Sequence, residues 1–418
     1  MANLFESIRE FFAQKEPLEP GVYSYTAPAD DPLNYRLHLR IDKDGSGVLI
    51  VNAATVLHLN MSATEYAYHL VHGTPADEVA RQVATRYQVK YDTALQDFEG
   101  FKERIEILIA TPDLDPVLFL DFERHMPYSD ELTAPYRLDC ALTYRLPEGA
   151  DALDAPTKRV GRELTTAEWK QIIDKAWEVG IPQILFTGGE PTLRDDLPEL
   201  LQHAEDNGQV TGILTDGLKL ADTDYLNALL QAGLDHAMIV MQPNKEQTWE
   251  ALSSFSYWTE TLDEDIYVAA HLTITPENAA DITAHLDKLA KAGVSAVSLS
   301  VTSPDLMPNL TEARDYVDHL DLGLVWDLPV PYSKLNPVDL ELEGELELGG
   351  EMALRDAMDL DIDLDTEDTN SGAGRGWLYV EPDGDVLPGQ GINTILGNLL
   401  TDSWEDIWAK AKEYKGNA

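Results

Sequence analysis

The sequence contains a single cysteine, Cys140, in 418 residues. One thiol cannot close an intramolecular disulfide and cannot supply a multi-thiolate metal site. Basic residues are also scarce, with 30 Lys and Arg against 75 Asp and Glu, and no basic run is present that would follow a phosphate backbone. Nucleic acid is therefore not an expected partner of this chain.

Long apolar stretches are lacking as well. No run of about 20 apolar residues is available for a transmembrane helix, and the N-terminal segment has no apolar core of the signal-peptide kind. We therefore expect a cytoplasmic protein with no membrane partner. The apolar fraction of 44% is ordinary, and the length suggests about two to three domains. The simplest interpretation of the acidic composition is solubility.

Hydrophobic periodicity divides the chain into five segments. Two alternating apolar runs flank Asp44-Gly45-Ser46-Gly47, which predicts a hairpin, and a third strand-like run covers 54–60. Three helices follow, the first after a capping-box pattern that begins at Ser62, the second ending at Tyr87 and the third over 92–110. This order predicts a small winged-helix-like α+β module. The five segments are a helix with coil over 1–34, this module over 35–112, a proline-rich linker over 113–135, an α/β domain over 136–335 and a C-terminal extension over 336–418.

From Tyr136 onward, strand-like and helix-like stretches alternate. This alternation predicts a parallel sheet with helices outside, as a barrel or partial barrel whose site lies at the carboxyl ends of the strands. We predict strands over 137–144, 183–187, 209–215, 237–241, 266–274, 296–301 and 323–328. We predict helices over 166–179, 197–207, 225–231, 247–259, 279–291 and 312–320. The C-terminal extension is predicted to hold a hairpin around Pro382-Asp383-Gly384 and a closing helix over 404–414.

The most informative stretch is Gly188-Gly189-Glu190-Pro191, which directly follows the predicted strand at 183–187. Two glycines let a ligand approach the backbone closely, and a proline fixes the turn. Glu190 would bring a negative charge to this edge, which suits an ammonium group. The alternative interpretation is a tight turn between strand and helix with a capping acid.

This motif and the later Leu214-Thr215-Asp216-Gly217 resemble the radical S-adenosylmethionine (SAM) superfamily. The resemblance covers about 136–330 and implies a six-stranded partial (β/α) barrel in which Gly188-Gly189-Glu190-Pro191 binds the methionine amino group of SAM. It also implies that the region from Thr273 lies near the ribose and carboxylate of SAM. The candidate SAM-binding residues are Gly188, Gly189, Glu190, Pro191, Thr215, Gln242 and Thr273, with Tyr144 and Lys245 as further polar groups.

The flanking segments resemble parts of the peptide-modifying members of that superfamily. The module over 35–112 is similar to a PqqD-like peptide recognition domain, which implies that a leader or substrate peptide adds a strand to its sheet edge, at 36–42 or 47–52. The module could instead be a brace between domains. The extension, with 380–390 and 404–408, looks like a SPASM or twitch domain.

The chain departs from the family at its cluster ligands. The resemblance implies a [4Fe–4S] cluster held by three cysteines after the first strand, because thiolates hold the iron. The register set by the first strand places non-ligands there, namely Leu146, Ala150 and Leu153. A second register, counted from Cys140, gives Tyr144 and Pro147, and the extension has Pro388-Gly389 where relatives have Pro-Cys. We expect no iron–sulfur cluster and no other metal, and weak SAM binding.

Three functions remain open. The first is a cluster-less pseudoenzyme that binds a peptide or partner in a ribosomal-peptide or cofactor modification pathway. The second is an enzyme that uses the barrel mouth for non-radical chemistry, although no Ser/His/Asp set is visible. The third is a cysteine-substituted form of an active radical SAM peptide-modifying enzyme. We expect Cys140 to be a small buried hydrophobe and His236 and His271 to lie in the core; the oligomeric state stays open.

Overall fold

A computed structural model describes residues 18–28, 31–33, 35–52, 55–111, 132–147, 160–262, 266–320, 322–325 and 372–414. The predicted N-terminal helix, most of the linker, the cluster positions Ala150 and Leu153, and the acidic stretch before 372 lie outside the described residues. The chain divides into two compact units, residues 1–126 with 178–182 and residues 127–177 with 183–418, which are described separately.

The first unit has a four-stranded antiparallel sheet followed by three helices. The strands are β1 (Gly21–Thr26), β2 (Arg36–Ile41), β3 (Gly47–Val51) and β4 (Thr55–Leu59), paired in that order. The helices are α1 (Met61–Val71), α2 (Ala76–Tyr87) and α3 (Tyr91–Ala110). Alternate side chains of the sheet, such as Leu39 and Leu49, form one core with helix residues such as Val79 and Phe98.

Two expectations for this unit are wrong. Residues 1–34 were expected to be helix and coil, but Gly21–Thr26 forms an edge strand because β2 offers it a hydrogen-bonding partner along its whole length. The first helix is capped by Asn60 rather than by Ser62. The Asn60 side chain lies directly after β4 and accepts a hydrogen bond from the Ala63 amide at 3.0 Å, which satisfies a donor of the first turn.

In the described residues of the second unit, ten strands form one sheet. They are β5 (Arg137–Thr143), β6 (Gln183–Gly188), β7 (Val210–Thr215), β8 (His236–Val240), β9 (Tyr267–Ile274), β10 (Ala296–Val301), β11 (Gly323–Leu324), β12 (Trp377–Val380), β13 (Asp385–Leu387) and β14 (Gly397–Asn398). The helices are α4 (Thr166–Glu178), α5 (Leu197–Asn207), α6 (Thr223–Gln231), α7 (Glu246–Leu262), α8 (Ile282–Lys291), α9 (Met307–Val317) and α10 (Trp404–Glu413).

Strands β5 to β11 are all parallel and follow the chain order across the sheet. The predicted fold class, an α/β partial barrel together with a small α+β domain, is confirmed. On the other side of β5 the sheet continues into β12, which is parallel to β5, and then into the antiparallel strands β13 and β14. The hairpin predicted around Pro382-Asp383-Gly384 joins β12 to β13, and Gly384 has a φ of +91°.

Side chains alternate between the two faces of each barrel strand. One face is aliphatic, with residues such as Ile184, Ile213 and Ile239. Ile239 and Ala251 of α7 both lie next to Gly217, so this face points toward the helices. The opposite, concave face carries small, polar and some apolar residues, including Asp139, Thr187, Gly212, Leu214, Met238, Ala269, His271, Ala296 and Ser298.

Among the described residues, none of the helices has both the length and the apolar composition needed to span a lipid bilayer.

Candidate functional site

The two glycines of the motif lie against the backbone that follows β5. The Gly189 amide donates to the Thr143 carbonyl at 2.7 Å, and the Glu190 amide donates to the Arg145 carbonyl at 2.9 Å. A Cβ atom at Gly188 would overlap the Thr143 carbonyl, and one at Gly189 would overlap that of Arg145. Gly188 also has a φ of +124°, which L side chains rarely adopt. Packing between two chain segments therefore requires both glycines.

Glu190 is buried, with 1% of its surface exposed, and its carboxylate binds the neighbouring strand end. Oε1 accepts hydrogen bonds from the Thr192 amide at 3.0 Å, the Thr192 hydroxyl at 2.6 Å and the Thr215 hydroxyl at 2.7 Å. Oε2 accepts from the Asp216 amide at 2.7 Å. The carboxylate thus ties the end of β6 to the end of β7 and caps the short 3-10 turn Pro191–Leu193.

Burial raises the pKa of Glu190 to about 7, and the nearby carboxylate of Asp216 adds to this rise. Burial also raises the pKa of Asp216. The Asp216 Oδ1 accepts a hydrogen bond from the Leu218 amide at 3.0 Å, so this side chain organises the turn after β7. The motif has the geometry of the capping interpretation, and a ligand role for its residues stays a prediction.

Gln242 and Thr273 lie on other strand ends. Gln242 follows β8, is partly exposed, and its carbonyl accepts the Lys245 amide at 2.8 Å. Thr273 is near the end of β9, where its carbonyl accepts the Asn278 side-chain amide at 2.9 Å. The partners of Glu190 all come from the β6 and β7 ends, so the structure does not bring Gln242 or Thr273 into hydrogen-bond contact with it.

Thr273 belongs to a buried polar cluster that hydrophobic patterns did not reveal. His271 of β9 approaches Ser298 of β10 with Nδ1 at 3.0 Å, and its Nε2 lies 3.0 Å from the Ser300 hydroxyl and 3.2 Å from the Thr273 hydroxyl. The sequence does contain a signal for this cluster, because its polar residues are two positions apart on each strand. Residues 271 and 273 therefore share a face of β9, and residues 298 and 300 share the same face of β10. The cluster therefore lies on the concave side of the barrel.

His236 occupies a different level of the concave face, at the amino end of β8. Its Nε2 lies 3.2 Å from the Gln183 side-chain nitrogen, and its ring fills the space that the absent side chain of Gly212 leaves. Burial, together with the charge of Arg137, lowers the pKa of His236 to about 4. Residues at this end of a barrel serve stability rather than chemistry.

Cys140 lies in the middle of β5, fully buried, opposite Phe186 of β6. It is on the aliphatic face, and burial raises the pKa of its thiol. The predicted role as a small buried hydrophobe agrees with this placement. Leu146, the first of the three cluster positions, is partly exposed and has no ligand atom. The residues present do not fit a [4Fe–4S] cluster, because one chain offers one thiol, on the face turned away from the barrel interior.

Tyr144 is the first residue after β5, and it connects the barrel to the C-terminal extension. Its hydroxyl donates to Glu381 Oε1 at 2.9 Å, and its ring packs with Tyr379 and Leu387. Glu381, Asp383 and Asp385 have carboxylate oxygens within 4.8 Å of one another. Asn398 donates to Asp385 at 2.9 Å, so these acids take part in the hydrogen bonding of the hairpin.

Comparison with known proteins agrees with this geometry. Residues 140–246 match the family described as the Radical SAM superfamily. The second unit has a radical SAM fold. Over 92% of this chain and 88% of the other, the structure resembles that of Streptococcus suis SuiB bound to precursor peptide SuiA, with a TM-score of 0.56 and 15% identity. SuiB bound to S-adenosylmethionine gives a TM-score of 0.54 at 15% identity, over 89% of this chain and 86% of that one.

The curated relatives are bacterial proteins named PqqA peptide cyclase. The protein from Bradyrhizobium diazoefficiens is 32% identical over 160 residues, which are 35% of this chain and 42% of that protein. The protein from Rhodopseudomonas palustris is 27% identical over 297 residues, 65% of this chain and 73% of that protein. The chain thus spans less than half of the first of these relatives.

Proposed function

We propose that this chain is a radical-SAM-fold protein of a peptide-modification pathway that binds a peptide and generates no radical. The names of its relatives, PqqA peptide cyclase and SuiB with its precursor peptide, support a peptide as partner and S-adenosylmethionine as a small-molecule ligand. The 35–112 module as a PqqD-like domain and the 336–418 extension as a SPASM or twitch remnant belong to the same proposal.

One observation supports the proposal that this chain performs no radical chemistry. The fold is that of enzymes whose cluster needs three thiolates, and the sequence has one cysteine, buried on the aliphatic face of β5. Carboxylates are hard ligands and do not replace thiolates in such a cluster. Anaerobic iron–sulfur reconstitution followed by iron analysis, electron paramagnetic resonance and an assay for 5′-deoxyadenosine tests this. A stoichiometric [4Fe–4S] signal with SAM cleavage would overturn it.

The comparison of the encoding gene with this sequence separates a natural protein from a cysteine-substituted form of an active enzyme. Cysteine codons at 146, 150 and 153 of the gene would establish the substituted form. Codons for Leu, Ala and Leu would establish that the natural chain lacks these ligands.

The sheet edge that could take a peptide is not one of the two predicted edges. Residues 36–42 and 47–52 include β2 and β3, and each of these strands already has a neighbour on both sides, so that expectation is wrong. In the described part of the sheet, β1 and β4 are the outer strands. Pro20 and Pro28 flank β1, and prolines at an edge oppose strand addition. We therefore place the peptide along β4.

Hydrogen exchange measured by mass spectrometry tests this placement. The probe is a set of synthetic peptides that cover the short open reading frames next to the encoding gene, screened first for binding by fluorescence anisotropy. With a binding peptide present, the amides of β4 should exchange at least about tenfold more slowly, because strand addition gives them partners. The amides of β1 are the internal control. Protection of β1 alone, or protection of neither strand, would contradict the placement.

A second candidate function, non-radical chemistry in the barrel, is favoured by one specific observation. This is the polar cluster of β9 and β10 on the concave face, where the strands of a barrel present their functional groups.

A further inference from the structure

The cluster of His271, Thr273, Ser298 and Ser300 is defined by the register of two parallel strands. Ser298 lies opposite His271 and Ser300 lies opposite Thr273, so four polar side chains share one small area of the concave face. The next residues toward the amino ends, Ala269 and Ala296, belong to an apolar group with Leu214 and Met238. A polar group with an apolar wall beside it is thus built into four consecutive strands.

The hydroxyl groups of the cluster surround the imidazole ring of His271. Ser298 Oγ lies 3.0 Å from His271 Nδ1, and Ser300 Oγ lies 3.0 Å from His271 Nε2. The two ring nitrogens of the imidazole are therefore each paired with a hydroxyl, one on either side. Thr273 Oγ1 accepts a hydrogen bond from Ser300 at 3.1 Å, which holds the serine beside the ring. For His271 to accept the Ser300 proton, the serine hydroxyl turns from Thr273 Oγ1 to the ring Nε2. Ser300, His271 and Ser298 then have the order of a nucleophile, a base and an orienting group.

The side chains of the cluster differ in their exposure to solvent. His271 is 1% exposed and Ser298 is 8% exposed, whereas Ser300 is partly exposed and is the last but one residue of β10. The hydroxyl that a substrate would reach is therefore at the carboxyl end of a barrel strand, where barrel enzymes hold their reacting groups. The imidazole behind it is shielded from water.

We propose that Ser300 is a nucleophile activated by His271, that Ser298 orients the His271 ring, and that the barrel transfers acyl groups from esters or thioesters. This activity rests on and specifies the second candidate function proposed above. It is separate from radical chemistry and from peptide binding at β4, so its failure would leave those two proposals unchanged.

The chemistry requires no oxidant or metal. Ser300 Oγ attacks the acyl carbon while its proton moves to His271 Nε2, and collapse of the tetrahedral intermediate expels the alcohol or thiol, which takes that proton. Water then attacks the Ser300 ester, gives a proton to His271, and releases the carboxylic acid as the serine regains its proton. Ser298 is a positioning residue, because it touches the far nitrogen of the ring and not the substrate.

A fluorophosphonate probe tests the proposal without knowledge of the natural substrate. An activated serine displaces fluoride from phosphorus and keeps the phosphonate, and peptide mapping by mass spectrometry locates it. We expect labelling of Ser300 and hydrolysis of p-nitrophenyl butyrate. His271→Gln should lower the labelling rate at least about 100-fold, because general base catalysis contributes on that order. Ser298→Ala should lower it about tenfold, and Ser298→Thr, which keeps the hydroxyl, should restore it.

Two controls keep the test decisive. Ser253→Ala removes an exposed hydroxyl of α7 that bonds only to the helix backbone and should leave labelling unchanged. Ser300→Cys preserves volume and should lose fluorophosphonate labelling while it gains reaction with iodoacetamide, even if Ser300→Ala fails to fold. Absence of labelling in folded wild-type protein, labelling at another serine, or labelling that persists in His271→Gln would each overturn the proposal.

Discussion

The barrel has two polar regions, one around Glu190 and one around His271, and their polar side chains have different surroundings. At the ends of β6 and β7, the Glu190 carboxyl group is buried and surrounded by four donors from its own chain. On β9 and β10, the His271 ring lies within hydrogen-bond distance of the hydroxyl groups of Ser298, Ser300 and Thr273, and Ser300 is partly exposed. The region that carries the family motif is thus explained by packing, whereas the region without a motif has the arrangement of a reactive site. A retained motif does not by itself locate chemistry.

The largest expected effect of a change in the first region is the loss of stability in Gly189→Ala. The new Cβ would overlap the Arg145 carbonyl, and neither backbone segment can move without breaking the Glu190-to-Arg145 hydrogen bond. We expect a loss of more than about 3 kcal/mol, which is typical of severe backbone clashes. Calorimetry of thermal unfolding measures it. Gly161→Ala is the matched control, because a Cβ there meets no atom within 4 Å. Equal stability of both variants would show that the motif is not held by this packing.

These outcomes bear on how much of the protein could be predicted from sequence. Alternation of apolar residues located strands β5 to β10 to within a residue or two, because the helix-facing side is mostly aliphatic. The edge strand Gly21–Thr26 was missed because its formation depends on β2, which is distant in the sequence. The position of Glu190 was predicted, but its partners Thr215 and Asp216 depend on how β6 and β7 align.

The concave cluster was harder to foresee for the same reason. The sequence predicts that His271 lies in the core, but its contact with Ser298 depends on the register between β9 and β10. A slip of one residue would turn every side chain of the strand to the other face. Sequence periodicity fixes which residues share a face and does not fix which residues lie opposite each other.

We expect a second effect, of intermediate size, on the pH dependence of stability, because Glu190 has different pKa values in the folded and unfolded chain. Its pKa rises from an ordinary value near 4.5 in the unfolded chain to about 7 in the folded protein. The stabilisation that follows is complete below about pH 4.5 and is lost as the pH rises through 7. The free energy of unfolding of wild type relative to Glu190→Gln should therefore fall by up to about 3 kcal/mol between pH 4.5 and 8. Urea unfolding at a series of pH values measures this difference, and a difference that grows with pH would contradict the burial argument.

The smallest expected effect concerns SAM. Because internal donors already satisfy the Glu190 carboxylate, we expect Glu190→Gln to change the affinity for SAM less than about threefold. Methylthioadenosine, which lacks the amino group, should bind about as well as SAM. Isothermal titration calorimetry with both ligands decides this. A loss of at least about tenfold for SAM alone would show that Glu190 binds the amino group, as the family resemblance implies.

The central claim, that this chain lacks the thiols needed to hold a cluster, is tested most directly by placing three cysteines at the cluster positions. Wild type and the variant Leu146→Cys, Ala150→Cys, Leu153→Cys are reconstituted side by side under anaerobic conditions, and iron and sulfide per chain are measured with the electron paramagnetic resonance spectrum. We predict no stoichiometric cluster in wild type and a gain of bound iron in the variant. A [4Fe–4S] cluster in wild type, at the same occupancy as in the variant, would contradict the account.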